Sequence, residues 1–261
     1  MTSRERLASL TRLQYAPAQV AEKVARIYRE LIERSKHVRS GNFEAIGVAD
    51  LQFLFDSYDR EFFGNLLFQL LQEDCGGRIT LRLSDRMTRA AGKTILRHRR
   101  QRSGWQVVTV PEYEIAISTL LLFQTFDDID RPVTVTGLTC RDRIEALQRI
   151  FEHELLHLAE FLAEGKSSCA QDQFQRLAQS IFGHASVVHD LVTPREIASK
   201  THAIHTGDLV AFEFDGITQI GRVNRITKRA TILVEDPAGR LFSDGRRYLT
   251  FYVPVDQLRK T

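Results

Sequence analysis

Apolar residues recur along this chain with two periods, and the switches between them divide it into regions. In residues 17–38, Val20, Val24, Ile27 and Leu31 follow one another at intervals of four, three and four, the spacing of one face of an amphipathic helix. Residues 48–72 carry Leu51, Leu54, Phe55, Tyr58 and Phe62 on a broader apolar face, which predicts core-facing helical structure. Arg78–Leu83 then alternates, with Ile79, Leu81 and Leu83 on one side, as a half-buried strand does. Segments 94–96, 105–110 and 113–118 are further strand candidates, so a small sheet is expected here. The 3.6-residue period returns at Arg141–Glu164. Ile144, Leu147, Phe151, Leu155, Leu158 and Leu162 form the main stripe, while Ile150 and Leu156 lie off it. A helix that is apolar on several sides is buried. Thr139-Cys140-Arg141-Asp142 precedes it as a cap and Gly165-Lys166 follows it as a stop. A further helix is predicted over Gln171–Phe182, ending at Gly183.

After Pro194 the pattern becomes strand-like throughout. Val210, Phe212 and Phe214 alternate with Ala211 and Glu213. Asp215-Gly216 and Asp244-Gly245 are hairpin signals, and Asp236-Pro237-Ala238-Gly239 is a further turn signal. Four or five short strands within residues 206–255 predict a small SH3-like or OB-like β-barrel. The expected fold class is α+β. Its expected organisation is an N-terminal helical extension (1–47), a domain of helices around a small sheet (48–195), and a barrel (204–261). No internal repeat and no low-complexity segment interrupts it.

Composition narrows the class. Hydrophobic residues make up 43% and charged residues 26% of the 261 residues, a globular balance. No apolar run approaches the ~20 residues that span a bilayer, and Met1–Arg6 alternates charges where a signal peptide would carry an apolar stretch. No membrane association is expected. Cys75, Cys140 and Cys169 lie far apart, which excludes a four-cysteine zinc ribbon and a disulfide framework and suits a reducing cytoplasm. The net charge is only +3, but Asp85–Arg102 carries seven Lys/Arg against one acid. Such a patch is a solvated surface or a contact for an anionic partner, with DNA or RNA as the candidates.

The sharpest chemical signal is His153-Glu154-Leu155-Leu156-His157, an HExxH pattern within the predicted buried helix. Residues i and i+4 share a helical face, so two imidazoles there can bind one Zn²⁺. Glu154 is the candidate catalytic acid/base: it can take a proton from metal-bound water, then return one to the leaving amine. Zinc needs a third protein ligand and, for catalysis, an open fourth position. Cys169, twelve residues beyond His157, is the preferred candidate. It sits across the Gly165–Ser168 turn at the predicted start of the next helix, where the backbone dipole favours a thiolate. His184 and His189 are the alternatives, although the intervening helix would carry His184 about 18 Å along its axis. Ala91-Gly92-Lys93-Thr94 ends like a P-loop, but position 87 is Met where the first glycine belongs. In the β region, Arg222, Arg225, Lys228 and Arg229 with Tyr248, Phe251 and Tyr252 form a candidate face for single-stranded nucleic acid.

Taken together, residues 48–192 resemble the SprT-like (Spartan-like) zinc metalloproteases. Leu54–Gly64 is similar to that family's opening helix, Ala91-Gly92-Lys93 to its strand glycine, and His153–Leu158 to its zinc helix. Gln173–Gly183 resembles the following helix and Val188–Leu191 the tail. The resemblance implies a zincin-like fold, zinc held by His153 and His157, Glu154 as acid/base, and a protein or peptide substrate. The family's third His would fall at Ala170, beside Cys169. Some members follow the protease domain with a four-cysteine ribbon, and this chain has its predicted barrel there instead.

Overall fold

The computed structural model describes residues 1–103, 106–126 and 131–261; Trp105 of the predicted 105–110 strand lies outside them. The chain is α+β and divides into two compact units, Met1–Leu191 and Val192–Thr261. The first begins with α1 (Ser3–Thr11) and α2 (Pro17–Arg34). These do not form a separate extension. Leu10, Val20, Val24, Ile27 and Leu31 are buried in the same hydrophobic cluster as the rest of the unit. The predicted second helical region is α3 (Val48–Tyr58), a π-helical turn (Asp59–Phe63) and α4 (Leu66–Cys75). Gly64 and Asn65 break the run by taking positive φ. The Asp59 carboxylate accepts from the Leu67 and Phe68 backbone N–H groups at 3.0 and 2.9 Å and so restarts the helix.

Three strands form the first sheet: β1 (Ile79–Ser84), β2 (Gly92–Ser103) and β3 (Gln106–Ser118), in the order β1-β3-β2. β1 runs parallel to β3 and β2 antiparallel to it. The separate strands expected at 94–96, 105–110 and 113–118 are thus two long arms of one hairpin. Pro111 lies inside β3, which looks costly in a central strand. However, β1 pairs only with Tyr113–Ser118, so at Pro111 the strand has β2 alone as neighbour and the missing N–H leaves no gap. α5 (Thr119–Gln124), β4 (Val133–Val135) and β5 (Leu138–Cys140) follow.

The central element is α6 (Arg143–Glu164). It starts two residues after the expected Arg141, because Asp142 is the cap and accepts from the Glu145 N–H at 2.9 Å. It ends at Gly165, whose φ of 70° is the left-handed conformation the sequence signal demanded. From Ile144 to Ala163 nearly every side chain is buried, charged ones included. α7 (Asp172–Phe182) then packs Phe174, Leu177, Ala178, Ile181 and Phe182 into the same core. The two-residue β6 (His189–Asp190) pairs with β4, setting His189 opposite Val135 in a small sheet ordered β5-β4-β6.

The second unit opens with α8 (Pro194–His202) and continues with β7 (Leu209–Phe214), β8 (Ile217–Ile226), β9 (Ala230–Leu241), β10 (Arg247–Val253) and β11 (Arg259–Lys260). Its core gathers Val210, Phe212, Val223, Ile232 and Val253 with Ala198 of α8. The five strands lie in the order β10-β9-β8-β7-β11. Among the described residues the sheet is open, where a closed barrel was expected. The turn expected at Asp236–Gly239 falls within β9, where the Ala238 N–H donates to Asp236 Oδ1 at 2.7 Å and the strand leaves its register with β10. Leu241 and Glu235 oppose adjacent β10 residues, so the segment between them has no partner in the register. Gly239 fits there because a side chain would collide with the Tyr248 backbone.

Candidate metal centre

Helix periodicity alone brings the two motif histidines together. Their Nε2 atoms lie 3.1 Å apart and the ring centroids 4.8 Å. Phe174 of α7 packs against both rings, at 4.9 Å from His153 and 4.5 Å from His157. The chain then turns at Gly165, and the following loop returns Cys169 to the same place. One ligand atom from each of His153, His157 and Cys169 lies within 4.8 Å of the others. α7 begins at Asp172, so Cys169 sits in the preceding turn and not on the helix itself.

The two alternative ligands separate. His184 is on another side of α6, where its Nε2 bonds Glu152 at 2.8 Å and its ring stacks on Phe182. Glu152 is fully buried and also accepts from the Tyr58 hydroxyl at 2.8 Å and from Arg149 at 3.0 and 2.9 Å. Burial pushes this carboxyl upward, but Arg149 and the His184 bond outweigh it, and the pKa is lowered. His184 therefore belongs to a structural network. His189 reaches the site: its ring centroid is 4.6 Å from that of His153, with the planes 78° apart. The corresponding His153–His157 angle is 76°.

The surroundings suit a cation. Burial drives His153 down to about 2, helped by the neighbouring histidines, and drives His157 and His189 down to about 4. All three rings are thus neutral near pH 7, the state in which imidazole donates a lone pair to a metal. His153 Nδ1 and His189 Nε2 are buried and have no hydrogen-bond partner. Unpaired buried polar atoms are costly; an ion held between the two Nε2 atoms leaves His153 Nδ1 unpaired and offers a partner only on the His189 side. Two imidazoles and a thiolate are a donor set that zinc accepts.

Glu154 lies on the cleft side of the helix. With His153, His157 and His189 it lines a cleft of about 350 Å³ whose other wall is Arg89–Thr94. Thr94 Oγ1 is 2.7 Å from the Glu154 carboxylate and 2.9 Å from its backbone carbonyl. Gly92 makes this approach possible, since a Cβ there would stand 2.5 Å from Glu154 Oε1. Burial raises the Glu154 carboxyl to about 7, against the lowering effect of Thr94. A carboxyl poised near neutrality can both take and give a proton. No family model, curated protein or solved structure matches the chain.

The other sequence candidates fare differently. The predicted basic-aromatic face of the second unit is divided by strand alternation. Phe251 packs against Phe212 and Phe214, whereas Tyr252 is exposed. In the basic hairpin, Glu114 binds Arg82 and Arg97, and Glu112 binds Arg99. Thr94, Glu160 and Ser167 escaped the sequence reading, because nothing in their local pattern marks a hydroxyl or carboxylate that meets the motif only in space. No described helix is long and apolar enough to cross a membrane.

Proposed function

We propose that the first unit is a zinc-dependent peptidase of SprT-like type, in which His153, His157 and Cys169 hold the ion and Glu154 moves protons. The observation that carries this reading is the 3.1 Å approach of two neutral imidazoles, His153 buried and His157 half-buried, beside a carboxyl that shares their cleft. Zinc, when bound, acidifies a coordinated water towards a pKa of ~7 and polarises a carbonyl. Glu154 accepts the proton of the attacking water and delivers one to the departing amine nitrogen. Thr94 holds the Glu154 side chain against the strand, and Gly92 leaves room for it. β2 is an edge strand whose Gly92–Thr94 segment lines the cleft. An extended peptide is the substrate shape that such an edge accepts. The second unit serves as a recruiting module, with a nucleic acid or nucleoprotein as the candidate partner.

His189 favours a second reading. Its unpartnered Nε2 and the nearness of its ring to His153 make it the candidate fourth ligand, although its nitrogens lie outside the tight His153–His157–Cys169 cluster, so closing the site requires its ring to move in. Four protein ligands would close the site and make zinc structural, leaving the function to the second unit. Purified protein and its Glu154→Gln variant, both loaded with zinc, distinguish the two in a peptide-hydrolysis assay. The peptidase reading expects full metal content in both and a loss of at least 100-fold in turnover in the variant. Equal hydrolysis by parent and variant refutes it.

A further inference from the structure

The loop that returns Cys169 also carries Ser167, and here the direction of each hydrogen bond can be followed. Glu160, buried one helical turn beyond His157, accepts from the Ser167 hydroxyl at 2.6 Å and from the Gln173 side-chain amide at 3.3 Å. Glu160 is therefore surrounded by donors and serves as an acceptor. Ser167 has a single hydroxyl hydrogen, and Glu160 takes it. Towards its other neighbour, His157 Nδ1 at 2.7 Å, the Ser167 oxygen can then only accept. That contact requires a proton on Nδ1. A neutral imidazole carries one ring proton, so His157 Nε2 is left with its lone pair, aimed towards His153 Nε2 3.1 Å away. His153 has no such support, because its Nδ1 is buried without a partner.

We propose that Glu160 and Ser167 are positioning residues that fix His157 in the Nδ1–H tautomer and hold its Nε2 ready for the metal. The inference rests on the zinc reading above. Carboxylates commonly support metal-bound histidines from behind; here the carboxylate acts through an intervening serine. The arrangement also couples two parts of the site. Ser167 and Cys169 belong to one short loop, so the bond that orients His157 also fastens the segment that supplies the thiol.

The test is zinc affinity, measured by chelator competition on the full chain, for the parent, Ser167→Ala and Ser167→Thr. A second readout is the His157 tautomer in the metal-free parent, from long-range ¹H–¹⁵N spectra of the imidazole. The expected result is an Nδ1–H tautomer, a 10–100-fold loss of affinity in Ser167→Ala, and recovery to within a few-fold in Ser167→Thr, which keeps the hydroxyl. An Nε2–H tautomer at His157 in the parent, or parent-like affinity in Ser167→Ala, overturns the relay and leaves the metal site standing. A parent that binds no zinc overturns the metal site itself, and the relay with it.

Discussion

Replacing Glu154 by Gln should make the metal-free protein more stable, increasingly so as pH rises. In the fold its carboxyl titrates near 7, against an ordinary value of 4.5, chiefly because it is buried. Folding therefore favours the protonated form. The stabilisation this gives is complete below pH 4.5 and is lost as pH rises through 7. At about 1.36 kcal/mol per pKa unit, the difference amounts to about 3 kcal/mol when fully lost. Linkage places about a quarter of the loss below pH 5 and nearly all of the rest between pH 5 and pH 8. Gln is neutral throughout and keeps an oxygen for the Thr94 hydroxyl, so it avoids this loss. The histidine titrations are common to both proteins and cancel in the comparison. For a unit of this size, about 2–3 kcal/mol corresponds to roughly 5–10 °C in melting temperature. Thermal unfolding of chelator-treated parent and variant at pH 5 and pH 8 is the assay. A melting-temperature gap that is the same at both pH values would refute the claim that Glu154 is held protonated by burial. The catalytic carboxyl of the proposed site is thus expected to be a stability liability in the metal-free protein.

Metal content separates the ligand assignments. Cys169→Ala should fall well below one zinc per chain after dialysis while His189→Ala retains it, as elemental analysis would report; equal loss in both would favour the closed, structural site. Arg149→Met should destabilise the first unit by about 3–5 kcal/mol in denaturant unfolding, because it leaves the fully buried Glu152 without its cation. A cost below about 1 kcal/mol would mean that Tyr58 and His184 suffice to hold that carboxylate.

Much of the fold follows from local pattern. The long buried helix, its glycine stop, the following amphipathic helix and the alternating β region were all legible, because each depends on spacing within a few residues. The two motif histidines were legible for the same reason: a four-residue separation puts them on one helical face whatever surrounds them. The nearness of Cys169 was also readable, since a glycine turn leaves a short loop few places to go. Long-range pairing decided the rest. Sequence spacing could not show that β4 holds β6 and so carries His189 to the site, or that Glu152 claims His184 for the core. It could not show that the β strands of the second unit stop at an open sheet, because closure depends on strand ends meeting across the unit. Nor could it reveal Thr94, Glu160 and Ser167. Hydrogen bonds from these side chains cost nothing in local propensity and leave no periodic trace. They exist only because the strand, the helix and the returning loop come within 3 Å of one another.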